Sequence, residues 1–280
     1  MINNKALFVY FIQEREKVRI QHDAGKPKPW TDDVILQSIR FTNVDREKDR
    51  TTIYIRNRYA WNDWLYVNTV IARFINRIDA LEQIPPYDGS MPAHEYVDII
   101  RRIFAERKAA GKTNTCGVYL IGSLKTEELL QWFESLFDNN LQKDLNSCST
   151  CKQYYDRLTS IKNLGSFIAN QIVQDIKNTA GSNLYNAPDR RVFTSHGPGS
   201  LRGISIYFDT KVTPATFIKY LGLAFNEVRE KLMHDDPYKI IEQLDYHNLQ
   251  NCFCEYSKYM NQILGLGRRI KNRYDGEVEL

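Results

Sequence analysis

Apolar residues recur every three or four positions along most of the chain, the spacing that lines one face of a helix. Leu7, Tyr10, Phe11 and Val18 stand among charges over residues 1–19, which predicts an amphipathic helix. A basic loop follows, Ala24-Gly25-Lys26-Pro27-Lys28-Pro29-Trp30. Thr31-Asp32-Asp33 then caps a helix running through Ile35, Leu36 and Ile39. The same period predicts helices over 61–78, 95–110, 126–137, 147–158, 168–178, 216–232 and 240–262. Only 115–120 and 203–208 read as strands, and both are short. With no internal repeat or low-complexity linker, the pattern predicts a mainly α protein: one domain over 1–280, built of two helical lobes that close on each other.

Composition narrows the class. A chain of 280 residues with 42% hydrophobic and 12% aromatic content has an ample core and is not disordered. Its 17 tyrosines serve core packing more readily than base stacking. A net charge of +4 and a pI near 8.6 permit nucleic-acid binding without announcing it. Five cysteines, an odd number, and no signal peptide point to a reducing cytoplasm. No apolar run approaches the roughly 20 residues of a membrane span.

Cys148-x-x-Cys151 and Cys252-x-Cys254 could in principle hold zinc. The second spacing is tight and sits in an apolar-aromatic segment, so buried free thiols are the better reading. No metal and no organic cofactor are expected. Ala109-Ala110-Gly111-Lys112-Thr113 imitates the end of a phosphate-binding P-loop. Glu106 stands where that motif needs its first glycine, and a helical pattern rather than a strand precedes it. Gly111 reads better as a helix C-cap.

The run 158–169 predicts a tight corner between two helices. Ile161 and Leu164 anchor it, Gly165 supplies positive φ, and a helix opens behind. Such a corner aims N–H groups at a phosphate, which makes Asn163, Gly165 and Ser166 candidate DNA contacts. The segment 158–178 resembles the helix-hairpin-helix of DNA-glycosylase folds, whose usual pattern is Leu-Pro-Gly-Val-Gly-x-Lys-Thr-Ala. Asn163 replaces the first hairpin glycine, and Phe167 stands where lyase-type glycosylases keep a nucleophilic lysine. An ordinary αα-corner is the plainer alternative.

Wider blocks carry a more specific resemblance. They are Lys28-Pro29-Trp30-Thr31-Asp32-Asp33-Val34-Ile35-Leu36; Arg40-Phe41-Thr42-Asn43-Val44 with Arg46, Asp49 and Arg50; and Ile71-Ala72-Arg73-Phe74-Ile75-Asn76. Further on come Phe167 to Asp175, Gly197-Pro198-Gly199-Ser200-Leu201-Arg202-Gly203, Cys254-Glu255-Tyr256-Ser257-Lys258-Tyr259, and Gly265-x-Gly267-Arg268. In this order they resemble the helical domain of phage 5-hydroxymethyluracil DNA kinases, shared with the α-glutamyl/putrescinyl-thymine pyrophosphorylases, or amino acid:DNA transferases. The resemblance implies a glycosylase-like fold turned to thymine hypermodification. Since the chain carries no kinase domain, it implies a transferase that displaces pyrophosphate from 5-pyrophosphoryloxymethyl-uracil in DNA with an amino acid or polyamine. Its partners would be modified DNA, a small amine donor and a 5-hydroxymethyluracil DNA kinase. A helix-hairpin-helix glycosylase and a non-catalytic DNA-binding module are the alternatives.

Such chemistry needs cations and N–H donors around phosphate, and a base for the amine. Gly197, Gly199 and Ser200 with Arg202 suit the phosphate, with His196 beside them. Asp175 is a candidate base, four residues from Gln171 on one helix face, where Gln171 could read a flipped pyrimidine. The plainer reading pairs Asp175 with a structural arginine. Glu255 and Lys258 gain a site role from the resemblance alone, being otherwise a helix-surface pair. Arg40, Asn43 and Arg46, with Asp49, fall at spacings of three on predicted helical faces and could hold DNA or pyrophosphate, or form a buried network.

Overall fold

The computed structural model describes residues 3–59, 62–116 and 124–266. The elements in order are α1 (Asn4–Asp23), α2 (Val34–Ser38), α3 (Arg50–Arg58), α4 (Leu65–Ile75), α5 (Ile78–Leu81), α6 (Ala93–Ala109), α7 (Thr126–Ser135), α8 (Asn139–Ser147), α9 (Cys151–Thr159), α10 (Ser166–Asn178), α11 (Pro198–Phe208), α12 (Phe217–His234), α13 (Ile240–Gln243) and α14 (Tyr246–Ile263). The fold is mainly α, with no extended strand among the described residues. The chain divides into two compact units: the first takes residues up to 49 and from 194 onward, the second 50–193.

In the first unit the core is aromatic. Phe8 of α1 stacks on Phe253 of α14 at 4.3 Å, with Tyr207 and Tyr256 edge-on to Phe8. Helix α11 lies against α14 at very close range. A Cβ on Gly203 would fall 1.9 Å from the Phe253 carbonyl oxygen, so that position admits only glycine.

Helix α4 organises the second unit. All eleven of its residues are buried, the signature of a central helix, and α10 packs along it. Helix α9 starts under two caps. Thr150 accepts from Gln153 N, while Asp189, 38 residues beyond, accepts from Cys151 N at 2.8 Å and Lys152 N at 3.0 Å.

Several expectations require correction. Residues 203–208 are helical, because Gly197 and Pro198 open α11, and Gly203, Ile204 and Tyr207 form its buried face. The stretch after Ile39 is not helical: residues 40–43 are irregular and Arg46–Lys48 is one short 3₁₀ turn. The helix expected over 240–262 breaks at Leu244, and Asp245 caps α14 through Asn248 N. Helices α3 and α8 were not anticipated. Of the expected strand at 115–120, residues 117–120 lie outside the described residues, as do Gly267 and Arg268.

The corner before α10 also differs from expectation. Asn163 carries the positive φ, at 71°, whereas Gly165 is the extended N-cap of α10 at φ −71° and ψ 159°. Asparagine tolerates the left-handed region through its short polar side chain. Gly111 does take the C-terminal glycine role behind α6, at φ 71°.

Candidate functional site

The first unit gathers most of the candidate residues around one face of α14. Leu249, Phe253 and Tyr256 face the core. Asn248, Asn251, Glu255 and Lys258, spaced three and four apart, carry the polar work. Asn248 Oδ1 accepts from the Arg46 amide at 3.1 Å, and its Nδ2 donates to the Gln243 carbonyl at 2.9 Å. Asn251 Nδ2 donates to Thr42 Oγ1 at 3.0 Å and to the Asn43 carbonyl at 3.2 Å. Glu255 Oε2 accepts from the Thr42 amide at 3.4 Å.

Helix α1 grips the same segment from its other side. Arg15 Nη2 donates to the Thr42 carbonyl, and Glu16, fully buried, receives Lys48 Nζ at 3.1 Å and Arg19 at 2.6 Å. Backbone polar groups of a segment with no helix or strand of its own must find partners elsewhere. Side chains of α14 and α1 supply them, which explains why residues 42–46 are ordered without regular structure. Sequence reading missed Arg15, Asn248 and Asn251; the Asn-x-x-Asn-x-x-x-Glu spacing on a helix was the available signal.

Within that segment the expected roles separate. Asn43 Nδ2 donates to the Lys48 carbonyl at 3.0 Å, so this side chain closes a backbone turn, the second of the roles its type allowed. Arg46 lies 3.6 Å from Asp49. Arg40 is exposed and has no ion-pair partner among the described residues.

Glu255 is buried and binds Lys258 Nζ at 2.6 Å. Partial burial pulls the Lys258 pKa down, but the neighbouring Glu255 carboxylate more than compensates, and the ammonium ends above the ordinary lysine value. Lys258 is therefore a fixed cation at neutral pH, not a base. Burial raises the Cys254 thiol, and Glu255 adds to the effect, so the group stays protonated.

Cys254 joins this face to the start of α11. Its Sγ occupies the space a Cβ on Gly199 would enter, at 2.5 Å. Gly199 is thus small for helix packing rather than for approach to a ligand, which corrects its expected role. Ser200 Oγ accepts from the Gly197 amide at 2.9 Å and donates to the Gly197 carbonyl, so the hydroxyl is spent on the helix start. Gly197 has open space around it. Arg202, one turn into α11, is exposed and unpaired among the described residues. The His196 ring meets Phe217 edge-on at 5.9 Å.

The second unit holds the remaining candidates. Asp175 is 2% exposed and receives Arg73 through two bonds, at 2.5 and 2.6 Å, with Arg56 at 3.6 Å. Arg73 also donates to Thr52 Oγ1 at 3.0 Å. Both carboxylate oxygens face guanidinium, so the plainer reading of Asp175 prevails over that of a free base. Gln171 lies on the same helix, 9% exposed. Ser166 and the exposed Phe167 open α10 behind the Asn163 corner.

The profile described as "5-hmdU DNA kinase, helical domain" matches residues 3–265. The chain belongs to this family. The resemblance read from separate blocks thus extends across both units. A relative described as a 5-hmdU DNA kinase, from Bacillus phage SP10, is 25% identical over 286 residues, covering 90% of the chain and 44% of the relative. The chain accordingly spans less than half the length of that kinase. No solved structure matches it. The relationship supports a part in thymine modification of DNA. Among the described residues, no cluster of three or more His, Cys, Asp or Glu is arranged to hold a metal ion. Nor is any helix among them long and apolar enough to cross a membrane.

Proposed function

We propose that this chain is a DNA-modifying transferase that replaces pyrophosphate on a 5-pyrophosphoryloxymethyl-uracil with an amine. Its donor is an amino acid or polyamine, and it works in the cytoplasm of a phage-infected or bacterial cell. The amine nitrogen attacks the methylene carbon, the C–O bond breaks, and pyrophosphate leaves with the electron pair. The ammonium formed then sheds its proton. This reaction needs no organic cofactor; it needs positive charge where the leaving group gains negative charge.

The observation that carries the reading is Arg202. It is an exposed guanidinium without an ion pair among the described residues, next to a helix start and within electrostatic reach of Cys254 beside Lys258. Arg40 is a second such cation in the same unit. Family membership supports the DNA substrate, and a kinase relative supports a phosphorylated hydroxymethyl group as its starting point. With Asp175 committed to Arg73, the proton goes to solvent or to a group on the substrate.

A second reading draws on one further fact: the match falls on a domain of a longer kinase. Here the chain is a non-catalytic module that recruits a 5-hydroxymethyluracil DNA kinase to DNA, with the Asn163–Ser166 corner, a helix-hairpin-helix in kind, on a backbone phosphate. Nucleoside mass spectrometry separates the readings. Incubation with pyrophosphorylated oligonucleotide and an amine mixture should yield an amine adduct and free pyrophosphate. Unchanged nucleosides with retained DNA binding would leave the module, and abasic sites would indicate a glycosylase.

A further inference from the structure

Arg15 is the anomaly of the first unit. Its side chain is nine-tenths buried, at 5% exposure, yet only Nη2 has a hydrogen-bond partner, the Thr42 carbonyl. Nε and Nη1 are buried without one. The guanidinium lies over the Phe11 ring at 4.9 Å, and the thiol of buried Cys252 beside it is a weak acceptor. A buried cation left with unspent donors costs free energy and persists where something else is gained.

What surrounds Arg15 is further positive charge. Cys254 experiences the fields of Lys258, Arg202 and Arg15 together. The carboxylate at hand, Glu255, is matched by Lys258, while Glu16 is matched by Arg19 and Lys48. Two guanidinium groups therefore remain without a carboxylate in one small region. The first turn of α11, whose backbone presses on Cys254, adds N–H donors with no intrahelical acceptor.

We infer that Arg15, Lys258 and Arg202 form an oxyanion site around Cys254, suited to the oxygens of a phosphate or pyrophosphate group. Arg15 is its buried anchor, held in place by Thr42. Lys258 keeps two N–H groups beyond its bond to Glu255, and Arg202 closes the open side. The site deepens the transferase reading in its account of the leaving group, but it stands on charge and burial and does not depend on amine transfer. The same oxygens could come from free pyrophosphate or from a DNA backbone phosphate, and the test has an arm for each.

Calorimetric titration of the full chain with inorganic pyrophosphate, in parallel with a fluorescent DNA duplex, addresses this directly. Wild-type protein should bind pyrophosphate, and Arg202→Gln and Lys258→Met should each weaken that binding about tenfold or more. Arg15→Lys keeps the charge but loses the fork and should weaken it similarly, while circular dichroism reports folding. Arg202→Gln sits on the surface, so the inference stays testable if a change at Arg15 disturbs the fold. If pyrophosphate fails to bind but duplex affinity drops by the same factor in all three variants, the oxyanion is a backbone phosphate and the site stands. Equal affinity of wild type and variants for both probes overturns it. Amine transfer that proceeds while the three variants bind pyrophosphate normally would sink the site and leave the transferase. Pyrophosphate binding without amine transfer would do the reverse.

Discussion

Each unit buries an arginine, and the two are treated in opposite ways. In the second unit Arg73, 2% exposed, is matched by both oxygens of Asp175 and by Thr52. In the first, Arg15 is buried almost as deeply and keeps two nitrogens unmatched. A buried charge is tolerable when its geometry is closed and costly when it is open. The closed pair reads as architecture between α4 and α10. The open one marks a place where the fold holds charge ready for something it does not itself contain.

The largest expected effect tests the closed side. Asp175→Ala strands Arg73 in the core and should cost about 3–5 kcal/mol in denaturant unfolding. Arg73→Met combined with Asp175→Leu should recover most of that, since an apolar pair of similar volume fits the same site. Arg15→Met, by contrast, should cost about 1 kcal/mol, because it gives up one net hydrogen bond and removes unsatisfied donors. Equal losses for Asp175→Ala and Arg15→Met would break the comparison.

Glycine packing offers the next test. Gly203→Ala drives a methyl into the Phe253 carbonyl, and backbone cannot swing aside, so about 1–3 kcal/mol of destabilisation is expected from thermal or denaturant unfolding. Gly165→Ala meets open space at ordinary φ and should stay within about 0.5 kcal/mol. A large loss at Gly165 would mean that the corner before α10 needs glycine after all.

A smaller, coupled effect is expected at Gly199. Adding a methyl there meets Cys254 Sγ, while the next contacts stand at 3.5 Å. Gly199→Ala should therefore destabilise, and Cys254→Ala in the same chain should restore stability, with a coupling of at least about 0.5 kcal/mol in a double-mutant cycle. Additive losses would show that the two residues do not share this space.

The smallest effect concerns pH. Lys258 has its folded pKa raised above 10.5 by Glu255, against the pull of burial. A group raised on folding contributes stability that is complete below its unfolded pKa and is lost as pH rises through the folded one. Wild-type stability should therefore fall faster than that of Lys258→Met above about pH 10. The difference will be modest because the side chain is half exposed and screened. Parallel curves through that range would remove the ion pair from the account of the site.

Much of the architecture was legible from local pattern. The helices over α1, α4, α6, α7, α9, α10 and α12 follow from apolar spacing, Asp33 caps α2 as its position implied, and Gly111 ends α6. These features depend on residues within one or two turns of each other. Where a distant element supplied the partner, the local signal failed. Residues 40–46 carry helix-like spacing but are held open by Asn248, Asn251 and Glu255, more than 200 positions away. Residues 203–208 alternate like a strand, yet they fold as helix because α14 offers a surface that only Gly203 lets α11 approach.

The sequence by itself therefore determined the helical class, most helix boundaries, the family and the residue types able to handle phosphate. Tertiary structure alone decided which charges were spent. Asp175 and Arg73 stand 102 positions apart, and nothing near either one foretells their bond. Arg15 lay unnoticed within an ordinary amphipathic helix until α14 and the Thr42 segment enclosed it. Periodicity records which face of a helix is apolar, but whether a charge on that helix is neutralised depends on which other face the fold brings against it.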